Sequence, residues 1–158
     1  MGAPSGVSVG EARGIGPKRV LFVCTHNSAR SIMAEALLRK KGGAAYQVES
    51  AGTKPGEMRG FTLQILEEAG LPTAGLRSKS VAEFMGQPFD YVITVCDSAR
   101  QACPVFPGEG ERQHWGYDDP SAAEGSDEER LRAFRRVFTA LSQRIDLFLT
   151  VERSPDPA

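Results

Sequence analysis

The short run Arg19-Val20-Leu21-Phe22-Val23 leads without a turn signal into Cys24-Thr25-His26-Asn27-Ser28-Ala29-Arg30, and helix-forming residues take over at once from Ser31 to Lys41. A run this apolar and β-branched predicts a strand buried on both faces, the hallmark of a parallel sheet covered by helices. Ile32, Met33, Ala36, Leu37 and Leu38 supply the apolar positions of the following segment, and Gly42-Gly43 stops it. Strand, tight loop and helix in immediate succession point to an α/β architecture, because a parallel partner strand is reached only through a crossover.

The alternation continues along the chain. Tyr46 to Ala51 reads as a second strand, Thr62 to Ala69 as a helix stopped by Gly70, Tyr91-Val92-Ile93-Thr94-Val95 as a third buried strand, and Arg112 to Trp115 as a short fourth. In the last helix Leu131, Phe134, Phe138, Leu141, Ile145 and Phe148 recur three and four apart, which predicts a core-facing stripe and is too short a repeat for a coiled coil. The expected fold is an open four-stranded parallel sheet with helices on both faces, of flavodoxin-like topology, with its ligand beyond the carboxyl ends of the strands.

A length of 158 residues suits one domain, placed at 18–150. The glycine-rich stretch 1–17 reads as a disordered extension without the features of a signal peptide, and 151–158 as a loose tail. With 19 basic against 20 acidic side chains, neither a nucleic-acid footprint nor a polybasic membrane surface is expected, and no apolar run is long enough to span a bilayer. A monomer acting on a small partner is the default. Three cysteines, an odd number without a secretion signal, argue for reduced thiols with a chemical task in the cytoplasm. Nothing calls for a cofactor or metal; the six-residue gap between Cys96 and Cys103 is unlike the usual zinc-binding pairs.

Cys24 ends the first strand and Arg30 precedes the helix, so Thr25, His26, Asn27, Ser28 and Ala29 must wrap tightly at a helix N-terminus. Such a loop aims backbone N–H groups at an anion, the helix dipole adds positive potential, and Arg30 matches two oxygens of a tetrahedral species such as phosphate, arsenate or sulfate. The same environment is expected to favour the Cys24 thiolate, the nucleophilic form, with Ser31 and a secondary contribution from Ser28 donating hydroxyls to the sulfur. Asn27 suits a brace because it tolerates the left-handed region; His26 reads as a loop-shaping or solvent-facing residue rather than a base. A buried cysteine at a strand end is often just a small hydrophobe, but the adjoining serine, arginine and helix favour the catalytic reading.

Expelling an oxygen from the anion needs an acid, and Asp119, held extended by Pro120 after the fourth strand, is the candidate. Asp118 is a neighbour of unassigned role, and Asp-Pro can also be a plain turn. Cys96 ends the third strand, where parallel packing brings it near Cys24. Cys103 lies seven residues on; if 97–102 is helical, the two thiols stand about 10 Å apart along the axis, and a disulfide between them requires the segment to unwind.

The motifs VLFVCTHNSARS, MAEAL, SAGT, TVCDSARQACP and HWGYDDP together resemble the thioredoxin-coupled arsenate reductases, which share the fold of low-molecular-weight protein tyrosine phosphatases, over about Lys18 to Leu149. The resemblance implies a relay: Cys24 attacks arsenate with Asp119 as acid, Cys96 attacks Cys24 and arsenite leaves, Cys103 resolves the disulfide, and thioredoxin reduces the Cys96–Cys103 pair. Some members bind potassium beside the loop through residues matching Asn27, Glu35 and Ser50 and an acid where this chain has Lys79. The ammonium in place of the acid implies no potassium requirement.

Two other readings share the loop. A phosphatase needs only Cys24, Arg30 and Asp119 and releases the covalent intermediate to water; against it stand the Cys96–Cys103 pair and Pro-Ser-Ala-Ala-Glu after Asp119 instead of that family's paired tyrosines, although weak phosphatase side activity is expected. A non-enzymatic oxyanion sensor would need neither nucleophile, acid nor thiol pair.

Overall fold

The computed structural model describes residues 16–58, 60–108 and 110–153; residues 1–15 of the expected 1–17 extension and residues 154–158 of the expected tail lie outside them. Strand β1 (Lys18–Cys24) is followed by helix α1 (Arg30–Gly42), strand β2 (Tyr46–Gly52), helix α2 (Gly60–Glu68), strand β3 (Tyr91–Thr94), helix α3 (Asp97–Ala102), strand β4 (Glu111–His114) and helix α4 (Asp127–Arg153). All strand pairs are parallel, in the order β2-β1-β3-β4. This is the four-stranded parallel sheet expected from the alternation of apolar runs.

Val20 to Val23 have no exposed surface, so β1 is covered on both faces, as its unbroken apolar sequence requires. Helix α1 is buried continuously from Ser31 to Leu38 because it lies between the sheet and α4. Leu131, Phe134, Leu141, Ile145 and Phe148 of α4 are buried; Phe138, expected in the same stripe, is only half-buried. Phe148 meets Tyr91 and Trp115 edge-on, with ring centroids 5.0 and 5.9 Å away, which ties α4 to β3 and the end of β4.

Of the tail predicted to be loose from residue 151, the first three residues are helical. Helix α4 runs to Arg153, and the Glu152 carboxylate accepts the Tyr91 hydroxyl and lies 3.2 Å from the Lys18 ammonium. Those tertiary partners extend the helix beyond its apolar periodicity. Among the described residues no helix is long and apolar enough to cross a membrane.

From β1 the chain crosses to β2 on one side, and β3 is the neighbour on the other. Connections leaving in opposite directions open a crevice above the carboxyl ends of β1 and β3, where open α/β sheets bind ligands. Cys24 ends β1, and Cys96 lies just past β3.

Candidate active site

The loop from Cys24 to Arg30 is shaped by what holds its carbonyls. Cys24 O accepts from the Thr53 N–H at 3.1 Å, Thr25 O from Lys54 N–H at 2.8 Å, and His26 O from both Gly56 N–H and the Ser78 hydroxyl at 2.9 Å. Ser28 O accepts from the Thr62 hydroxyl at 2.8 Å. In a trans peptide the N–H points opposite to the carbonyl before it. With these carbonyls tied outward, the N–H groups of Thr25, His26, Asn27 and Ala29 turn toward the loop's interior, an arrangement of backbone donors that can receive an anion.

Gly52, paired with Cys24 across the β1–β2 ladder, makes that clamp possible. A Cβ there would stand 2.6 Å from Thr25 O and 3.0 Å from Asn27 N, backbone atoms that have nowhere to go.

Asn27 braces the loop from beneath. It is fully buried and has the one positive φ among the described non-glycine residues, +52°, which asparagine tolerates better than most. Its Nδ2 donates to Ser31 Oγ at 2.7 Å and to Ser50 Oγ at 3.0 Å, and its Oδ1 accepts the Lys79 N–H at 2.7 Å. Ser50 in turn donates to Glu35, which also meets the Arg39 guanidinium and lies 3.7 Å from the Lys79 ammonium. Lys79 is 5% exposed and Glu35 1%. Burial pushes the Glu35 carboxyl up, against Lys79, Ser50 and Arg39, which favour its charged form.

Cys24 Sγ is 2.8 Å from Ser31 Oγ and accepts the Asn27 N–H at 3.2 Å. Ser28, expected as a second hydroxyl donor, engages through its carbonyl instead. The thiol also departs from the sequence expectation. Burial pushes it above its ordinary value, and the Ser31 hydroxyl and N–H, Arg30 and the Asn27 N–H pull it back only in part. Desolvation of a residue only 3% exposed outweighs the donors around its sulfur. His26 is exposed, with Nδ1 3.0 Å from Lys54 O.

Arg30 joins the loop to the acid-bearing segment: its Nη1 donates to Tyr117 O at 2.8 Å and its Nη2 lies 3.9 Å from Asp119 Oδ2. Asp119 Oδ1 accepts from the Ser121 N–H at 2.9 Å and hydroxyl at 2.6 Å, which leaves Oδ2 as the oxygen facing the arginine. Asp118 is exposed.

Cys96 is buried, and its Sγ lies 3.2 Å from the hydroxyl of Thr25, the residue after Cys24. A second thiol therefore touches the Cys24–Arg30 loop. Cys103 caps the far end of α3, half-buried, with its S–H toward Pro104 O at 3.6 Å; burial raises it while Arg112 opposes. Helix α3 is intact, with Arg100 N–H on Cys96 O at 3.1 Å and Cys103 N–H on Ala99 O at 2.8 Å, and all three cysteines are free. Among the described residues no cluster of histidine, cysteine or carboxylate side chains could hold a metal ion.

Several contributors carried no signal in the residues themselves: the Thr25–Cys96 contact, the Tyr117 carbonyl, and the clamps from Thr62 and Ser78. Gly52 did, since a glycine closing a strand marks close backbone approach.

The family model for low molecular weight phosphotyrosine protein phosphatase matches residues 19–154. An arsenate reductase of Halalkalibacterium halodurans is 38% identical over 131 residues, covering 83% of this chain and 94% of its own. The crystal structure of an arsenate reductase from Archaeoglobus fulgidus is similar at TM-score 0.68 and 31% identity, over 83% of this chain and 98% of that one. A thioredoxin-dependent arsenate reductase of Corynebacterium glutamicum is similar at TM-score 0.56 and 28% identity, over 88% of this chain and 67% of the other.

Proposed function

The chain belongs to the low molecular weight phosphotyrosine protein phosphatase family, and we propose that it uses the family's loop to reduce arsenate to arsenite, with thioredoxin as the final reductant. The observation that carries this reading is the buried Cys96 thiol against Thr25, one residue from the nucleophile. Hydrolysis has no use for a thiol there, nor for a third at the end of α3.

Arsenate binds the inward N–H groups of Thr25, His26, Asn27 and Ala29 and the Arg30 fork. The Cys24 proton passes to an arsenate oxygen as the anion arrives, which suits a thiol held neutral by burial. Cys24 Sγ then attacks arsenic, and the departing oxygen takes a proton from Asp119 and leaves as water. Cys96, as thiolate, attacks Cys24 Sγ. The sulfur–arsenic pair moves to arsenic, which goes from the +5 to the +3 state and leaves as arsenite, while the two sulfurs form a disulfide. Cys103 attacks Cys96, restores the Cys24 thiolate, and presents a Cys96–Cys103 disulfide to the dithiol of thioredoxin. Two electrons enter arsenic and two thiols are oxidised, so the cycle balances. The chain is proposed to work as a cytoplasmic monomer.

Consumption of NADPH in the presence of arsenate, thioredoxin and thioredoxin reductase tests the reading; hydrolysis of an aryl phosphate without arsenate-dependent consumption would establish the phosphatase alternative. Weak ester hydrolysis beside reduction is expected, since Cys24, Arg30 and Asp119 serve both reactions.

Turnover is expected to be the same in potassium and sodium buffers. The Lys79 ammonium, near Glu35 and donating to Arg77 O at 3.2 Å, supplies the positive charge beneath Asn27 and Ser50. A severalfold drop on removing potassium would overturn this role.

A further inference from the structure

We propose that Arg112 and His114, two residues apart on β4, are positioning residues that latch the two ends of α3 and so set how readily Cys96 and Cys103 can meet. The inference rests on the three-cysteine relay proposed above and names the contacts that the relay must break.

Helix α3 has six residues, far fewer than an isolated helix needs to persist in water. Only Ala99 among them is buried, so its own core contact is small. It must be held by tertiary contacts, and beside the Thr25–Cys96 contact the polar ones at its two ends come from one strand, β4. Side chains two apart on a strand point to the same face. At the helix start, His114 Nε2 lies 2.9 Å from Asp97 Oδ1, while His114 Nδ1 lies 2.7 Å from the hydroxyl of Thr94, buried on β3. With the proton on Nε2, the ring donates to the carboxylate and accepts from the hydroxyl, fastening the first residue of α3 to the sheet. At the helix end, the Arg112 guanidinium donates to the carbonyl of Pro104, immediately after Cys103. The same guanidinium acts on Cys103, where it favours the thiolate against burial.

Both contacts oppose the resolving step. Cys103 Sγ must reach Cys96 Sγ in the Cys24–Cys96 disulfide, form the new sulfur–sulfur bond and expel Cys24 as thiolate. Seven residues of helix separate the two Cα atoms by about 10 Å, whereas a disulfide holds them roughly 4.4 to 6.8 Å apart. Opening α3 therefore releases Asp97 from His114, Pro104 from Arg112, or both. While arsenate is being bound, a closed latch keeps Cys96 against Thr25; once Cys96 has been consumed, the loss of that contact leaves the latch as the main polar restraint.

Amide hydrogen exchange in the reduced, full-length chain reads the latch without any catalysis. The reporters are the Arg100 and Cys103 amides, whose acceptors lie within this turn. Asp97→Ala and Arg112→Ala should each speed their exchange about threefold to tenfold, the range for one partly exposed polar contact. Asp97→Asn, which keeps an oxygen acceptor for His114, should restore most of the protection, and global melting should stay put because α3 opens as a local unit. Diamide, which removes two electrons and two protons from a pair of thiols, then measures closure of Cys96 on Cys103 in a Cys24→Ser background. Asp97→Ala should accelerate it by the same factor; Arg112→Ala should gain less, having also lost the cation beside Cys103. Unchanged exchange in both alanine variants, or faster exchange over the whole chain, overturns the latch. Faster exchange confined to α3 without any Cys96–Cys103 disulfide supports the latch and removes the relay.

Discussion

Cys103→Ser is expected to release one equivalent of arsenite per chain and then stop. On the proposed relay Cys24 still attacks arsenate in that variant and Cys96 still attacks Cys24, because neither step involves the third thiol: Cys96 stands against Thr25, whereas Cys103 lies beyond the end of α3. On that relay the two electrons needed to take arsenic from +5 to +3 are both supplied by Cys24 and Cys96. What is lost is the route out. The Cys24–Cys96 disulfide remains between residues 3% and 5% exposed, where thioredoxin's nucleophilic thiol has no approach. Thioredoxin-coupled NADPH consumption should therefore fall to background while arsenite measured directly in a single turnover stays near one per chain, and aryl phosphate hydrolysis by the reduced variant, assayed without arsenate, should persist. Continued multiple turnover in this variant would sink the relay.

Asn27→Ala is the second large effect, and it acts on stability as well as chemistry. The substitution removes two donated hydrogen bonds, to Ser31 and Ser50, and strands the buried Lys79 N–H that Oδ1 accepted. Each such loss costs roughly 1 kcal/mol and a stranded buried donor about 1 to 3 kcal/mol. Alanine also pays about 1 kcal/mol for the left-handed backbone at +52° that asparagine adopts readily. A total of about 4 to 6 kcal/mol corresponds to a melting temperature lower by roughly 10 to 20 °C for a domain of this size. The same change releases the turn that presents the Asn27 N–H to Cys24 Sγ, so arsenate turnover should fall further than the loss of folded protein explains. Calorimetry and turnover at a temperature well below both midpoints separate the two contributions. A melting point within about 2 °C of the parent would show that the brace is not what holds the loop.

The sheet was legible because its signals are local. Val20 to Val23 can be buried on both faces only in a parallel sheet, and Leu131 to Phe148 repeat at helical spacing. The Cys24–Arg30 loop was legible for the same reason: cysteine at a strand end and arginine at a helix start enclose too few residues for anything but a tight turn. Where local periodicity was the wrong guide, partners distant in sequence decided. Glu152 stays helical because Tyr91 and Lys18 are there to meet it, and Phe138 lies in the stripe yet is only half-buried. Asp97 and His114, distant along the chain, carried no pattern that would join them.

The residues alone determined that a tight loop runs from a buried strand into a helix, brought Cys24, Arg30 and Asp119 forward as the candidate reactive groups, and placed two more thiols at a spacing that a helix would hold apart. Only the tertiary structure decided the state and surroundings of those groups. It buried Cys24 so far that its thiol is raised rather than lowered, set Cys96 on Thr25, turned the loop's carbonyls outward through Thr53, Lys54, Gly56, Thr62 and Ser78, and hung both ends of α3 from β4. The reason is physical: chain direction and turn tightness follow from neighbouring residues, whereas desolvation and hydrogen-bond geometry depend on which distant groups the fold brings within about 3 Å.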